Sequence, residues 1–242
     1  MHLIKLDAIG STNDYLKDLS KTQNLSDFTV VTAEIQTSGR GQRGTVWNSE
    51  PGKNLTMSVF VRVSMNDASE LFALNALVAL SVLETLNASK IPGLSLKWPN
   101  DIMSGRKKIG GILIENNVKT ATEFDSVIGI GLNVNQTAFD GLPNASSLFV
   151  VSGQTFDKET LCLQIVDRIR ERLDLFKSTP DEIWETYNRS LFRKGIPTAF
   201  KDTSDKQFMG IITEAARDGQ LKIMLEDDSV RSFGLKEVTM LF

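Results

Sequence analysis

Four short segments of this 242-residue chain hold residue types suited to phosphate and carboxylate chemistry. The first is GRGQRG, Gly39, Arg40, Gly41, Gln42, Arg43 and Gly44. Its glycines let the backbone approach a ligand closely. Arg40 and Arg43 carry guanidinium forks that match phosphate or carboxylate oxygens. The glycine spacing is that of neither a Walker A loop nor a dinucleotide fingerprint, and a solvated loop is the plainer reading of this segment alone. Trp47, just beyond, suits either a core anchor or an aromatic platform. The second segment is LKWPND, Leu96 to Asp101. Pro99 fixes its own φ and restricts Trp98 to an extended conformation. A strand therefore ends here and presents Asn100 and Asp101 at its tip, the alternative being a simple Asx turn. The third is GRKKIGGILIE, Gly105 to Glu115. Lys108 stands at the mouth of an apolar strand beside Gly110 and Gly111, where it would act as a point charge on a phosphate; otherwise the cations form a surface turn. The fourth is IGIGLNVN, Ile128 to Asn135. Gly129 and Gly131 share one strand face and leave room there for a ligand or another backbone. Asn133 continues that face, and a buried Asn needs a ligand or a structural network as its partner.

Composition narrows the chemistry. A single Cys and a single His, at position 2, exclude an internal disulfide framework and leave little room for a histidine-based triad or metal site. Cys162 falls in an apolar, helical-looking segment, the setting of a buried and inert thiol. Catalysis must therefore rest on Lys, Arg, Asp, Asn and backbone amides. The net charge of -3 argues against a dedicated nucleic-acid binder. No apolar run is expected to reach the roughly 18 residues that span a bilayer. The N-terminal apolar stretch is broken by Lys5 and Asp7 and makes a poor signal peptide. A cytoplasmic protein that contacts neither membrane nor nucleic acid is the expectation.

The elements that must position these segments follow from periodicity. Residues 3–9 and 28–34 read as strands, and 13–22 as a helix behind the cap-rich Ser11-Thr12-Asn13-Asp14. Residues 55–63 alternate, with Leu55, Met57, Val59 and Val61 opposite Thr56, Ser58, Phe60 and Arg62, the pattern of a half-buried strand. A long helix with a broad apolar face is predicted over 68–87. Strands are predicted at 94–98, 109–116 and 125–134, and helices at 157–177 and from 181 to about 191. Several loops are too short to hold a crossover helix, so the sheet should be mixed but mainly antiparallel, an α+β fold. From Gly195 onward, five short strands split by turn signals suggest a small antiparallel barrel. The expected division is 1–190 and 191–242.

Together and in this order, Ser11-Thr12-Asn13, Gln36 with GRGQRG and Trp47, KWPND, Lys108 in KIGGILIE, and GIGLN resemble the bacterial biotin–protein ligases. The match covers most of residues 5–135, and the C-terminal strands look like that family's SH3-like domain. The resemblance implies a two-step ligase. Biotin carboxylate attacks the α-phosphorus of ATP, giving biotinyl-AMP and pyrophosphate, and a lysine of a biotin carboxyl carrier domain then displaces AMP. By the same resemblance Ser11, Thr12, Asn13, Gln36, Arg40, Lys108, Gly129 and Gly131 hold or make room for biotin. Gly39, Arg40, Gly41, Gln42, Arg43, Trp47, Asn100, Lys108 and Asn133 bind ATP or the adenylate. Lys108, Arg40 and Asp101 serve catalysis, with Asp101 orienting the acceptor lysine or Mg²⁺. Gln42 stands where well-known members often carry Arg, which implies a loop that retains the adenylate less tightly. A homodimer paired through sheet edges is a further implication. The first catalytic-type strand begins within a few residues of Met1, so the form expected is the one without a DNA-binding domain. Lipoate ligases and a non-catalytic biotin-binding module are the rival readings. Octanoyl transferases need an acyl-cysteine, which Cys162 is poorly placed to supply.

Overall fold

The computed structural model describes residues 1–65, 70–176 and 178–241, with the Arg43 side chain outside that set. Seven strands, β1 (His2–Ile9), β2 (Thr29–Gln36), β3 (Leu55–Ser64), β4 (Leu94–Lys97), β5 (Asp101–Ser104), β6 (Lys107–Val118) and β7 (Glu123–Leu132), make one sheet in the order β1-β2-β3-β7-β6-β5-β4. Only β1 and β2 run parallel; every other neighbouring pair is antiparallel. The parallel pair is joined by helix α1 (Thr12–Thr22), the kind of crossover that parallel pairing requires. Ser11 caps α1, its hydroxyl accepting from the Asp14 N–H.

The strand expected to be half-buried is buried on both faces. On β3, every residue from Leu55 to Val61 is buried. Leu55, Met57, Val59 and Val61 join the main core. Phe60, on the opposite face, packs under α1 with Leu16, Leu25, Val31 and Val127. The alternation is real, but the polar face is roofed: Thr56 donates to Ala33 O, and Ser58 is bonded to α1.

The main core lies on the other side of the sheet, beneath α2 (Leu71–Ala88), α4 (Lys158–Phe176) and α5 (Pro180–Arg189). The expected start of α2 at residue 68 falls outside the described residues, as does the expected end of α4 at 177. By length and composition α2 could cross a bilayer, with a mean hydropathy of 1.6, contrary to the expectation for the chain. Here 67% of it is buried inside the fold, as suits a helix apolar on nearly all sides. Two elements had no sequence signal strong enough to stand out, α3 (Leu148–Ser152) and β5. LKWPND is therefore not an open strand tip. The Trp98–Pro99 peptide bond is cis, and the chain turns back so that Lys97 pairs with Asp101 across β4 and β5.

Beyond α5 the chain enters a second sheet of five antiparallel strands, β8 (Thr198–Asp202), β9 (Gln207–Ala215), β10 (Leu221–Leu225), β11 (Val230–Phe233) and β12 (Val238–Leu241), in the order β11-β10-β9-β8-β12. Its turns fall where the sequence signals them, at Asp205, Gly219 and Asp228, all with positive φ. Phe200, Ile212, Ile223 and Phe233 belong to the same apolar cluster as Leu77 and Trp98. The Trp98 indole N–H also donates to Gly219 O across the junction at 3.0 Å.

Candidate functional site

On the α1 side of the first sheet lies a cavity of about 340 Å³, within the range of small-molecule sites. Its walls come from the start of α1, the end of β2, the 40–47 loop, strands β3, β6 and β7, the β4–β5 turn, and Lys236 in the turn between the last two strands of the chain. Its two ends differ in kind.

One end is neutral and hydrogen-bonded. Gln36 Oε1 accepts from the Thr12 N–H at 2.8 Å and lies 3.1 Å from the Thr12 hydroxyl. The Ser58 hydroxyl, fully buried on β3, stands 2.6 Å from Asn13 Oδ1 and 2.8 Å from Thr12 Oγ1. Asn13 Nδ2 donates to Glu115 Oε2 at 2.9 Å and reaches Leu113 O at 3.3 Å. Thr12 and Asn13 are buried, so each needs these partners, and the buried Ser11 hydroxyl is met by the Asp14 N–H.

The other end is charged. Lys108 Nζ lies 2.6 Å from Asp101 Oδ1, and Lys97 Nζ lies 3.7 Å from Asp101 Oδ2. Burial pushes the Lys97 ammonium below its ordinary pKa; the Asp101 carboxylate opposes that shift and the Lys108 charge adds to it. Two ammonium groups share one carboxylate, which favours an incoming anion. Asn100 is pinned beside them, donating from Nδ2 to Ile112 O at 2.6 Å while its own carbonyl accepts from Ile112 N–H at 3.0 Å.

A β-bulge aims Lys108 at this end. Asp101 pairs with Gly111 and Ile102 with Gly110, but Met103 pairs with Lys108, so the register slips at Ile109. In an unbroken strand Lys108 and Gly111 would face opposite sides. The extra residue turns Lys108 onto the face of Asp101. Loop backbone holds it there, since Lys108 N–H donates to Asn144 O at 2.7 Å and its carbonyl accepts from Ser146 N–H at 2.9 Å.

The 39–47 loop forms the lid. Trp47 N–H donates to Gly39 O, and Gly41 N–H to Thr45 O. Arg40 NH2 is 2.6 Å from Glu115 Oε1 and 3.1 Å from Asp14 Oδ1. Lys17 reaches the same two carboxylate oxygens, at 2.7 and 3.0 Å. Arg40, expected to close over the adenylate with its glycine loop, is shared here with two acids.

Most expected residues line this one cavity: Ser11, Thr12, Asn13, Gln36, Arg40, Gly41, Gln42, Trp47, Asn100, Asp101, Lys108, Gly129 and Gly131. Three expectations change, and a fourth falls on a side chain outside the described residues. Gly39 belongs to the adjoining groove between the loop and β6. The Arg43 side chain lies outside the described residues. Asn133 is not on the cavity wall; its Nδ2 donates to Ser146 O and its N–H to Ile109 O, the structural network rather than the ligand. Gly129 and Gly131 do make room, but the room is taken by protein. A Cβ on Gly129 would overlap Asn13 Oδ1, and one on Gly131 would sit 2.5 Å from Trp47 Cε2. The indole lies against the sheet backbone, and its buried N–H finds no partner among the described residues. Residues missed from sequence include Ser58, Asp14, Lys17, Lys97, Glu115 and Lys236. Ser58 carried a signal, a small polar residue at the centre of a strand, whereas Glu115 only closed an apolar run.

Residues 6–133, just over half of the chain, match the biotin/lipoate A/B protein ligase family. The chain belongs to this family. It is 33% identical over 195 residues to the bifunctional ligase/repressor of Bacillus spizizenii, covering 77% of this chain and 59% of that protein. It is 31% identical over 233 residues to the bifunctional ligase/repressor of Escherichia coli, covering 93% of this chain and 69% of that one. The solved structure of the Aquifex aeolicus biotin protein ligase in complex with biotin and ATP superposes with a TM-score of 0.80 at 26% identity, covering 99% of this chain and 98% of that one.

Proposed function

We propose that this family member is a biotin–protein ligase: it condenses biotin with ATP to biotinyl-AMP and transfers the biotinyl group to a lysine of a biotin carboxyl carrier domain. The observation that carries the reading is the bulge-aimed Lys108 beside Asp101, across one cavity from a neutral hydrogen-bonding end and beneath an arginine-bearing lid. In the first step a carboxylate oxygen of biotin attacks the α-phosphorus and pyrophosphate leaves. Negative charge gathers on phosphoryl oxygens, so the step calls for fixed cations rather than a protein nucleophile. Lys108 meets the biotin carboxylate and then the phosphate, and Arg40 closes over the adenylate. The neutral end, through Thr12, Asn13 and Gln36, suits an uncharged ring rich in N–H and C=O groups, as the ureido ring of biotin is. In the second step the carrier amine attacks the acyl carbonyl, sheds a proton and expels AMP. Asp101, between two lysines, orients that amine.

Among the described residues no group of three or more carboxylate, His or Cys ligands is positioned to hold a metal ion. Asp101, the expected magnesium ligand, is already paired with Lys108 and Lys97. The donor set does not make a protein-borne magnesium site, and no step is assigned to one. The division into a catalytic part, 1–190, and a small β part, 191–242, belongs to the same reading, with Lys236 as the point where the second part meets the cavity.

The test is biotin-dependent pyrophosphate release from ATP, followed by transfer to a carrier domain. Release with biotin but not with lipoate is expected. Release with lipoate alone would move the assignment to the lipoate branch, and no release with either would leave a binding module.

A further inference from the structure

One carboxylate ties the neutral end of the cavity to its lid. Glu115 stands on β6 with its side chain about one quarter exposed. Its Oε2 accepts from Asn13, and its Oε1 is shared by Arg40 NH2 at 2.6 Å and Lys17 Nζ at 2.7 Å. Burial alone would raise the pKa of this carboxyl, but hydrogen bonds from Lys17, Asn13 and Arg40 outweigh burial and hold it below its ordinary value. Both ion pairs of Arg40 among the described residues run through NH2. A guanidinium is a rigid planar fork with five donors. Anchored by NH2, which both edges of the fork share, it keeps NH1, the remaining terminal nitrogen, for an anion in the cavity that Arg40 lines.

We propose that Glu115 is a positioning residue for Arg40: it anchors the lid arginine through NH2 so that NH1, the other terminal nitrogen, grips the phosphate of the adenylate. The inference rests on the ligase reading above. Asn13 does not depend on Glu115 for its orientation, because Ser58 holds its Oδ1 and Leu113 O lies near its Nδ2. Loss of the Glu115 charge therefore acts on the lid and not on the neutral end. Lys17 shares the carboxylate but is absent from the cavity wall, so its removal leaves the anchor in place.

The experiment uses the full chain and synthetic biotinyl-AMP carrying a radiolabel, whose loss from the protein is followed on filters during a chase with excess unlabelled biotinyl-AMP. Because the adenylate is supplied, the readout does not need the chain to make it. Glu115→Gln keeps an acceptor for Asn13 and removes the charge. It should speed adenylate release about tenfold, the scale of one hydrogen bond to a charged group, while the KM for biotin stays within about twofold. In an Arg40→Gln background the same change should add nothing, because the anchor no longer has a guanidinium to hold. Lys17→Met should release adenylate within about twofold of the wild-type rate. If Glu115→Gln does not fold, Glu115→Asp, with the charge on a shorter stem, carries the same cycle. Unchanged or slower release, or a full effect that persists without Arg40, overturns the inference. Pyrophosphate release by the wild-type chain, run in parallel, reports on the ligase reading separately: adenylate that binds without pyrophosphate release would fault that reading alone, and failure to bind adenylate would overturn both.

Discussion

The two ends of the cavity hold their polar groups by opposite means. At the neutral end, Thr12, Asn13, Gln36 and Ser58 satisfy one another through short hydrogen bonds on buried, regular elements. At the charged end, Lys108, Lys97 and Asp101 are held by Coulomb attraction at the edge of a bulge and a turn. A neutral network is stiff and reads shape, because any group that enters must replace bonds already made. An ion pair exchanges partners readily once another anion arrives, and its strength follows salt and pH. On the ligase reading proposed above, recognition falls to the first end and chemistry to the second, and breaking each without the other tests that division.

The largest effect should come from the charged end. Lys108→Gln removes the charge and shortens the side chain by one atom, and pyrophosphate release at saturating biotin and ATP should fall by about 10²–10³, the scale of losing one fixed donor to a transition state. The neutral end should be spared, so biotin binding measured by calorimetry without ATP should weaken far less. A loss below tenfold in turnover would remove Lys108 from the chemistry. At the neutral end, Gly129→Ala should do the reverse. Its Cβ would collide with Asn13 Oδ1, so Asn13 must move off Ser58. We expect a cost of about 1–3 kcal/mol in denaturant unfolding, the range for overpacking. The KM for biotin should rise more than kcat falls. Equal loss in both parameters would mean that the two ends are not separable.

The contrast between the ends also explains what the sequence could and could not tell. Ser11, Thr12 and Asn13 were legible as a cap and a first helical turn because those rules are local, whereas their place in a ligand site, and that of Gln36, came only from the resemblance. Lys108 was legible as a cation at a strand mouth, but its aim depends on the slip at Ile109, a pairing between strands that no local pattern encodes. Long-range partners stayed hidden for the same reason: Glu115 meets Arg40 across 75 positions and Asn13 across 102. Gly129 and Gly131 announced a close approach correctly, but a glycine does not say who approaches. The strands and long helices emerged within a few residues, because alternation and helical spacing are local. β5 escaped because four residues hold too short a pattern to register.

The lid offers a third, milder test. Gln42 lines the cavity, and its carbonyl accepts from Thr45 N–H and lies 3.0 Å from the Thr45 hydroxyl. The backbone of Gln42 is thus fixed while its side chain brings no charge. Gln42→Arg adds a guanidinium on that fixed backbone, and release of adenylate should slow by about threefold to tenfold, the value of one further charged hydrogen bond that is partly screened. No change in release, measured by the same labelled-adenylate chase, would show that residue 42 does not face the phosphate. The effect should shrink at 1 M salt, as it should not for any change at the neutral end.

The smallest effect is expected from the only thiol. Cys162 is buried on α4. Burial, with a lesser contribution from the Glu159 charge, pushes its pKa up to about 12. At pH 8 only about one molecule in ten thousand would carry the thiolate, which is the nucleophilic form. Iodoacetamide should leave the native chain unlabelled at that pH and label it once urea unfolds it. Cys162→Ala should keep both half-reactions within about twofold, at a stability cost near 1 kcal/mol for the small void left in the core. A variant that folds and forms adenylate but cannot acylate the carrier would point to a covalent cysteine intermediate. It would then move the acyl group out of the cavity between the neutral and charged ends, where neither end could act on it.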